Sequence, residues 1–277
     1  MPNITASEFD SLSDFIYRKT GIRFESKKLY FLSNRIRKRM RLLGIETVSE
    51  YIRILRFADP KNLEFQKLTD LLTINETYFF RDFSQLQAFA ESCLIEVAEK
   101  KAAAGDRTLR IWSAGCSTGE EPYTLGIIIL EMLDDVSDWD ISILASDIDL
   151  TVLNKARHAV YETRSIRDVP SSYLKRHFQK KGDEQYRVSE QVRRMVTFEH
   201  INLSEKQEIR KKRGFDFIFC RNVLIYFDDF SRKRLVDQFY VALNPGGYIF
   251  LGSSESVGRI STAFKLRRAD GFIVYTK

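Results

Sequence analysis

The sequence predicts a doubly wound, mostly parallel α/β sheet that follows a small all-α domain. Three observations carry this. Beyond about residue 105, short apolar runs alternate with longer amphipathic stretches: "TLRIWSA", "ISILASD", "VTFEHIN", "FDFIFCR", "GYIFLGSS" and "GFIVYTK". Continuous apolar runs of this kind fit strands covered on both faces, and helical spacers between them imply parallel crossovers. Residues 1 to 72 carry only helical periods. The first strand ends in glycines and opens directly into a helix, so a tight turn stands at that strand's C-terminal end.

The elements follow in order. "ASEFDSLSDFIYRKTG" has Phe9, Leu12, Phe15 and Ile16 at helical spacing and stops at Gly21. "KKLYFLSNRIRKRMRLLG" repeats the pattern with Leu29, Leu32, Ile36, Met40 and Leu43, and stops at Gly44. "TVSEYIRILRFAD" and "NLEFQKLTDLLT" complete a helical domain over 1–72. A connecting helix at about 83–104 makes 73–104 a linker to the α/β domain, 105–277. Between "ASDID" and "VTFEHIN" lies an insertion at about 160–195. Its segment Phe178 to Val188 reads as a hairpin turning at Gly182-Asp183. The last two apolar runs have no full crossover helix between them, so the final strand is expected to be antiparallel.

Bulk composition narrows the function classes. No apolar run approaches the ~20 residues needed to span a bilayer, and the N-terminus lacks the basic-then-apolar layout of a secretory signal. Three cysteines (Cys93, Cys116, Cys220) are an odd number without metal-type spacing, which argues against disulfides and zinc. The expectation is a cytoplasmic monomer without metal or membrane insertion. A net charge of +6 suggests an acidic partner. Its distribution says more: ten basic residues lie between Arg18 and Arg41, and within that span only Glu25 opposes them. Such a run is often a solvated helix face, but this imbalance also suits a docking surface.

The stretch "RIWSAGCSTGEEPYTLG" carries the chemistry. Gly115 and Gly119 bracket a turn, and Pro122 sits early in the helix, where its missing N–H is harmless. Neither the dinucleotide pattern G-x-G-x-x-G nor the phosphate loop G-x-x-x-x-G-K-[ST] is present. A phosphate at a helix start is held by amide donors, whereas Glu120 and Glu121 would repel a pyrophosphate. They suit a ligand with an ammonium or sulfonium group. The second run ends in "ASDID", where Asp147 is placed to accept hydrogen bonds from both hydroxyls of a ribose. S-adenosylmethionine presents both groups and no phosphate. Each feature alone also fits an ordinary βαβ unit, whose helix start favours glutamates through the dipole; their joint order is the stronger signal. In "FDFIFCRNVLIYF", Arg221, Asn222 and Tyr226 fall beyond a strand's C-terminal end, where ligands of doubly wound sheets sit. Asn202, closing "VTFEHIN", is placed similarly for an adenine edge.

Together "TINETYFFRD", "WSAGCSTGEEPYTL", "ASDID", "FIFCRNVLIYFD" and "LNPGGYIFLGSSES" resemble the chemoreceptor glutamate O-methyltransferases, the CheR family, in the same order and over nearly the whole chain. The resemblance implies a seven-stranded Rossmann-like class I methyltransferase sheet with an antiparallel last strand, an N-terminal helical domain and an inserted antiparallel β-subdomain. It implies methyl transfer from S-adenosylmethionine to receptor glutamates, leaving S-adenosylhomocysteine. Asn75, Thr77 and Arg81 would close over the cofactor beside the turn at Gly115. Glu121, chosen over Glu120 by spacing alone, would hold its ammonium and Asp147 its ribose. Asn202 and Leu203 would contact adenine, and Cys220, Arg221 and Asn222 would make strand-end contacts. Arg81 and Tyr226 would stand near the transferred methyl. Members that tether to a receptor's C-terminal pentapeptide carry a longer, glycine-richer hairpin than "QKKGDEQYRV", so such tethering is not expected.

The chemistry fits. A glutamate side chain, with a pKa of ~4.3, is already ionised near neutral pH and needs no general base. The three histidines (His158, His177, His200) accordingly fall outside the motifs and read as structural. The basic run from Arg18 to Arg41 gains a candidate partner, an acidic receptor helical bundle. Two other readings compete. A nucleic-acid methyltransferase acting on base amino groups would carry an N/D-P-P-Y/F loop where "RNVLIYF" stands. A non-catalytic adaptor would not need both acids together with Arg81 and Tyr226.

Overall fold

The computed structural model describes residues 4–256, 261–269 and 271–277. Its N-terminal domain comprises α1 (Ala6–Thr20), α2 (Leu29–Leu43), α3 (Val48–Arg53, continued by a π turn over Ile54–Ala58) and α4 (Leu63–Leu72). A capping box starts α1: Thr5 Oγ1 accepts from the Glu8 amide, and the Glu8 carboxylate accepts from the Thr5 amide. The apolar stripes foreseen from spacing, including Leu12, Ile16, Leu32, Ile36 and Leu68, form one core.

That core also holds a buried ion pair. The Arg39 guanidinium donates to both carboxylate oxygens of Glu64, at 2.8 and 2.6 Å, and the Tyr51 hydroxyl donates to Glu64 Oε1 at 2.8 Å. This corrects the reading of the basic run as one surface. Arg39 faces inward, and its opposing charge comes from α4 rather than from the local sequence. Arg35 is also partly covered, its guanidinium 4.5 Å from the Phe31 ring centroid and its Nε donating to the Leu71 carbonyl. Arg18, Arg23, Lys27, Lys38 and Arg41 remain exposed.

Helices α5 (Phe83–Ala88) and α6 (Ile95–Ala103) join through a π turn, Phe89–Leu94, into the connecting helix. The α/β domain then runs β1 (Thr108–Ala114), α7 (Glu120–Met132), β2 (Asp140–Asp147), α8 (Leu150–His158), β3 (Val160–Glu162), α9 (Ser171–His177), β4 (Phe178–Lys181), β5 (Gln185–Val188), α10 (Glu190–Arg194) and β6 (Val196–His200). It continues with α11 (Lys206–Arg210), β7 (Phe215–Cys220), α12 (Asp229–Ala242), β8 (Leu243–Leu251), β9 (Lys265–Ala269) and β10 (Phe272–Thr276).

Seven strands form one sheet in the order β6-β2-β1-β7-β8-β10-β9, parallel throughout except for β10, which is antiparallel to both neighbours. The six apolar runs are six of these strands. The seventh, β9, has no apolar run to announce it: it is an edge strand, and Lys265 to Arg268 are exposed. Central β7 is buried at every position, as its unbroken apolar run requires. Phe89 of the connecting helix covers one face, meeting Phe217 and Phe219 edge-on at 5.1 Å each. Trp112, Ile218 and Phe239 belong to the core of the other face. The insertion forms a separate antiparallel sheet, β3-β5-β4, whose hairpin turns at Gly182 with φ +69°.

In this strand order the neighbours β1, β2 and β7 end together at the switch point, where doubly wound sheets bind ligands. The helical domain closes over it. Asn202 Nδ2 donates to the Lys19 carbonyl at 2.7 Å, Tyr17 Oη to Asp228 at 2.7 Å, and Gln66 Nε2 to the Ile148 carbonyl at 2.8 Å. A short antiparallel bridge joins Ile22 to Phe227.

Candidate cofactor and substrate cleft

The strand ends and the helical domain enclose a cleft. Of the residues expected at a site, it is lined by Asn75, Thr77, Arg81, Gly115, Glu121, Asp147, Asn202, Leu203, Arg221, Asn222 and Tyr226. Cys220 is not among them. It is the last residue of β7, still paired with Leu251 of β8, and its side chain is fully buried in the core of one sheet face. Burial there pushes its thiol pKa well up, so it stays protonated and inert.

The turn after β1 is built by backbone. Gly115 and Cys116 donate their amides to the Ser146 carbonyl at 2.8 and 2.9 Å, which ties the turn to the end of β2. Gly115 has φ +87°, and a Cβ there would lie 2.3 Å from Val223 Cγ2 on the β7 loop. Only glycine lets the two loops meet this closely. Four non-glycine residues around the cleft also hold left-handed backbone: Phe80, Asp82, Ser117 and Asn222, with φ from +50° to +59°. Such strain concentrates where a ligand site dictates geometry.

The two neighbouring glutamates part company. Glu121 turns into the cleft, accepting from Ser113 Oγ at 2.7 Å and from Arg221 Nη1 at 3.2 Å. Burial raises its pKa, and Arg221 opposes that rise. Glu120 turns away toward the β-subdomain, accepting from Thr118 Oγ1 at 2.6 Å with Ser165 as a further partner. Arg221 reaches further, donating Nη2 to Asp82 and to the Arg81 carbonyl, each at 2.7 Å. One buried guanidinium therefore connects the acid at the start of α7 to the segment carrying Arg81.

Asp147 closes β2. Its carboxylate accepts from the Ser117 amide at 2.8 Å and the Asp149 amide at 3.0 Å. Burial nevertheless pushes its pKa up to about 6, so further donors reaching it would strengthen its charged form. Two ribose hydroxyls are such donors. Asn202 lines the cleft with its amide already engaged: Nδ2 holds the Lys19 carbonyl and Oδ1 accepts from Ser204. Arg81 Nη1 donates to the Glu76 carbonyl at 2.7 Å. The Tyr226 hydroxyl reaches the Ile74 carbonyl at 3.4 Å, and burial raises its pKa.

Two carboxylates inside quoted motifs position this machinery although the sequence reading gave them no role. Asp149 caps α8 through Oδ1, and its Oδ2 accepts from Thr73 Oγ1 and Asn75 Nδ2, both at 2.8 Å. It thereby pins the closing segment to the end of β2. Glu255 accepts from the backbone amides of Asn222, Ile225 and Gly252 at 2.9, 3.2 and 2.7 Å. It holds the β7 loop in its strained shape. Helical-domain residues Thr20, Ile22 and Leu72 also line the cleft, which local periodicity could not disclose. The histidines lie elsewhere: His177 bonds Glu131, and His158 and His200 meet backbone carbonyls.

The donor set suits S-adenosylmethionine. Two of its lining carboxylates, Glu121 and Asp147, are acceptors of the kind an ammonium and a pair of ribose hydroxyls need. Comparisons with known proteins agree. Residues 75–273 match the family model of the CheR methyltransferase SAM-binding domain, and residues 7–73 that of the CheR methyltransferase all-alpha domain. The chain is 41% identical to chemotaxis protein methyltransferase 2 of Vibrio cholerae, covering 96% of this chain and 91% of that one. It is 35% identical to the chemotaxis protein methyltransferase of Borreliella burgdorferi, over 92% of this chain and 90% of the relative. Identity is also 35% with chemotaxis protein methyltransferase 2 of Pseudomonas aeruginosa, over 98% and 93%. The fold, the cleft and these matches lead to one assignment: the chain belongs to the CheR family, the S-adenosylmethionine-dependent methyltransferases of chemotaxis.

Proposed function

We propose that this methyltransferase esterifies glutamate side chains in the cytoplasmic helical bundle of chemoreceptors. The observation that carries this reading is the cleft's lining: carboxylates Glu121 and Asp147 share it with Arg81 and Tyr226, and the Arg81 charge acts on the Tyr226 hydroxyl. Bound S-adenosylmethionine supplies an electrophilic methyl on a sulfonium. Glu121 would hold its ammonium, Asp147 its ribose hydroxyls, and the Asn202–Leu203 segment its adenine. Arg81 can offer an incoming carboxylate paired donors, with Tyr226 orienting it. An ionised carboxylate attacks without losing a proton, so positioning and desolvation supply the rate. That accounts for a site whose described lining includes no histidine.

Tritiated methyl transfer to receptor cytoplasmic fragments tests the reading. A glutamate ester releases the label as methanol in mild base. A base-stable label on the receptor would refute it.

A further inference from the structure

The β-subdomain and the cofactor-closing segment are packed as one body. Phe79 donates its amide to the Ser165 carbonyl at 2.9 Å, and its ring meets Tyr161 and Phe178 edge-on at 4.8 and 5.0 Å. Ile166 and Val169 of the same loop are buried in the core that contains Phe79 and Phe80. Next to them, the Arg167 guanidinium lies 3.9 Å from the Tyr78 ring centroid, and Tyr78 lines the cleft. The Arg81 guanidinium lies 5.9 Å from the same ring. Two guanidiniums thus lie near the Tyr78 ring, one from the closing segment and one from the insertion.

We propose that the inserted subdomain supplies a second basic wall for the substrate, with Arg167 docking an acidic helical segment of the receptor. The proposal rests on the glutamate reading above and adds a recognition element to it. A guanidinium stacked on an aromatic face is held flat with its N–H edge outward, the geometry that binds a carboxylate bidentately. Arg167 makes little internal use of that edge. Its Nη1 reaches the Arg164 carbonyl at 3.3 Å, and Asp168 stands 3.7 Å from Nε. Its side chain is 46% exposed. A further cation stands at another aromatic residue of the cleft: Lys28 Nζ lies 6.0 Å from the ring of Tyr226. A helix carrying several glutamates would meet Arg167 and Lys28 while presenting one carboxylate to Arg81.

The test is steady-state methylation of a receptor fragment by Arg167→Ala and Arg167→Lys, with S-adenosylmethionine affinity measured by calorimetry. Arg167→Ala should raise KM for the receptor about fivefold, flatten its salt dependence, and leave kcat and cofactor affinity within about twofold of wild type. Arg167→Lys should recover less than half of the loss, because an ammonium lacks the planar edge. A base-labile wild-type label with unchanged KM in Arg167→Ala would overturn the role of Arg167 alone. A fall in cofactor affinity at unchanged KM would make Arg167 a prop for Tyr78 and overturn it too. A base-stable wild-type label would overturn both this proposal and the glutamate reading.

Discussion

The strand-end cleft and the basic face of the helical domain are both concentrations of charge, but they are organised on different length scales. In the cleft, Glu121 and Asp147 are carried by a single βαβ unit and bonded within it by Ser113, Ser117 and Asp149, with Arg221 added from beyond β7. Along α2 the charges sit on a helix whose inner side is settled by helices elsewhere in the chain. Arg39 looks like its neighbours in sequence, yet it is buried against Glu64 and Tyr51. A charge pattern can be read locally only when the partners that decide its orientation are local too.

The largest expected effect on cofactor binding lies in the cleft. Asp147→Ala would remove the proposed acceptor for two ribose hydroxyls and free the Ser117 amide, and should weaken S-adenosylmethionine binding about 100-fold by calorimetry. Wild-type affinity within threefold would mean that the carboxylate is structural. The helical domain comes next. Arg39→Ala strands a buried carboxylate and should cost about 3–5 kcal/mol in chemical denaturation, whereas Lys38→Ala should cost under about 0.5 kcal/mol. Equal costs would erase the distinction drawn between these two side chains.

pH sharpens the comparison further. In the proposed role Asp147 accepts both ribose hydroxyls in its ionised form, and burial has raised its pKa to about 6. Cofactor affinity should therefore be full near pH 8 and fall about tenfold by pH 5. The same raised pKa stabilises the cofactor-free fold at low pH; that contribution is lost as pH rises through about 6. Thermal unfolding with and without cofactor should show the two trends running in opposite directions. The smallest effect belongs to the exposed basic face. The combined change of Lys27, Lys38 and Arg41 to Ala should lower receptor kcat/KM several-fold at low salt and little at high salt, with no change in cofactor affinity. A rate that keeps its salt dependence would detach this face from substrate docking.

The same length scale explains how much was legible. Six strands, the antiparallel end and the inserted hairpin each had an apolar run or a turn signal. Edge strand β9 did not, because its exposed positions need no apolar residues. The burial of the Cys220 side chain was not legible, because side chains alternate along a strand and the end of an apolar run does not say which face its last residue takes. Asp149 and Glu255 were visible as letters, but their work is accepting from distant amides and side chains, and spacing does not encode those partners.

The account's central claim is that one acid at the start of α7 serves the cofactor and its neighbour does not. Parallel titration of S-adenosylmethionine into wild type, Glu121→Gln and Glu120→Gln tests it most directly. Glu121→Gln should weaken binding about 30-fold, the worth of a charge-assisted contact of about 2 kcal/mol, and Glu120→Gln should stay within about threefold. A large loss in Glu120→Gln beside an intact Glu121→Gln would contradict the claim.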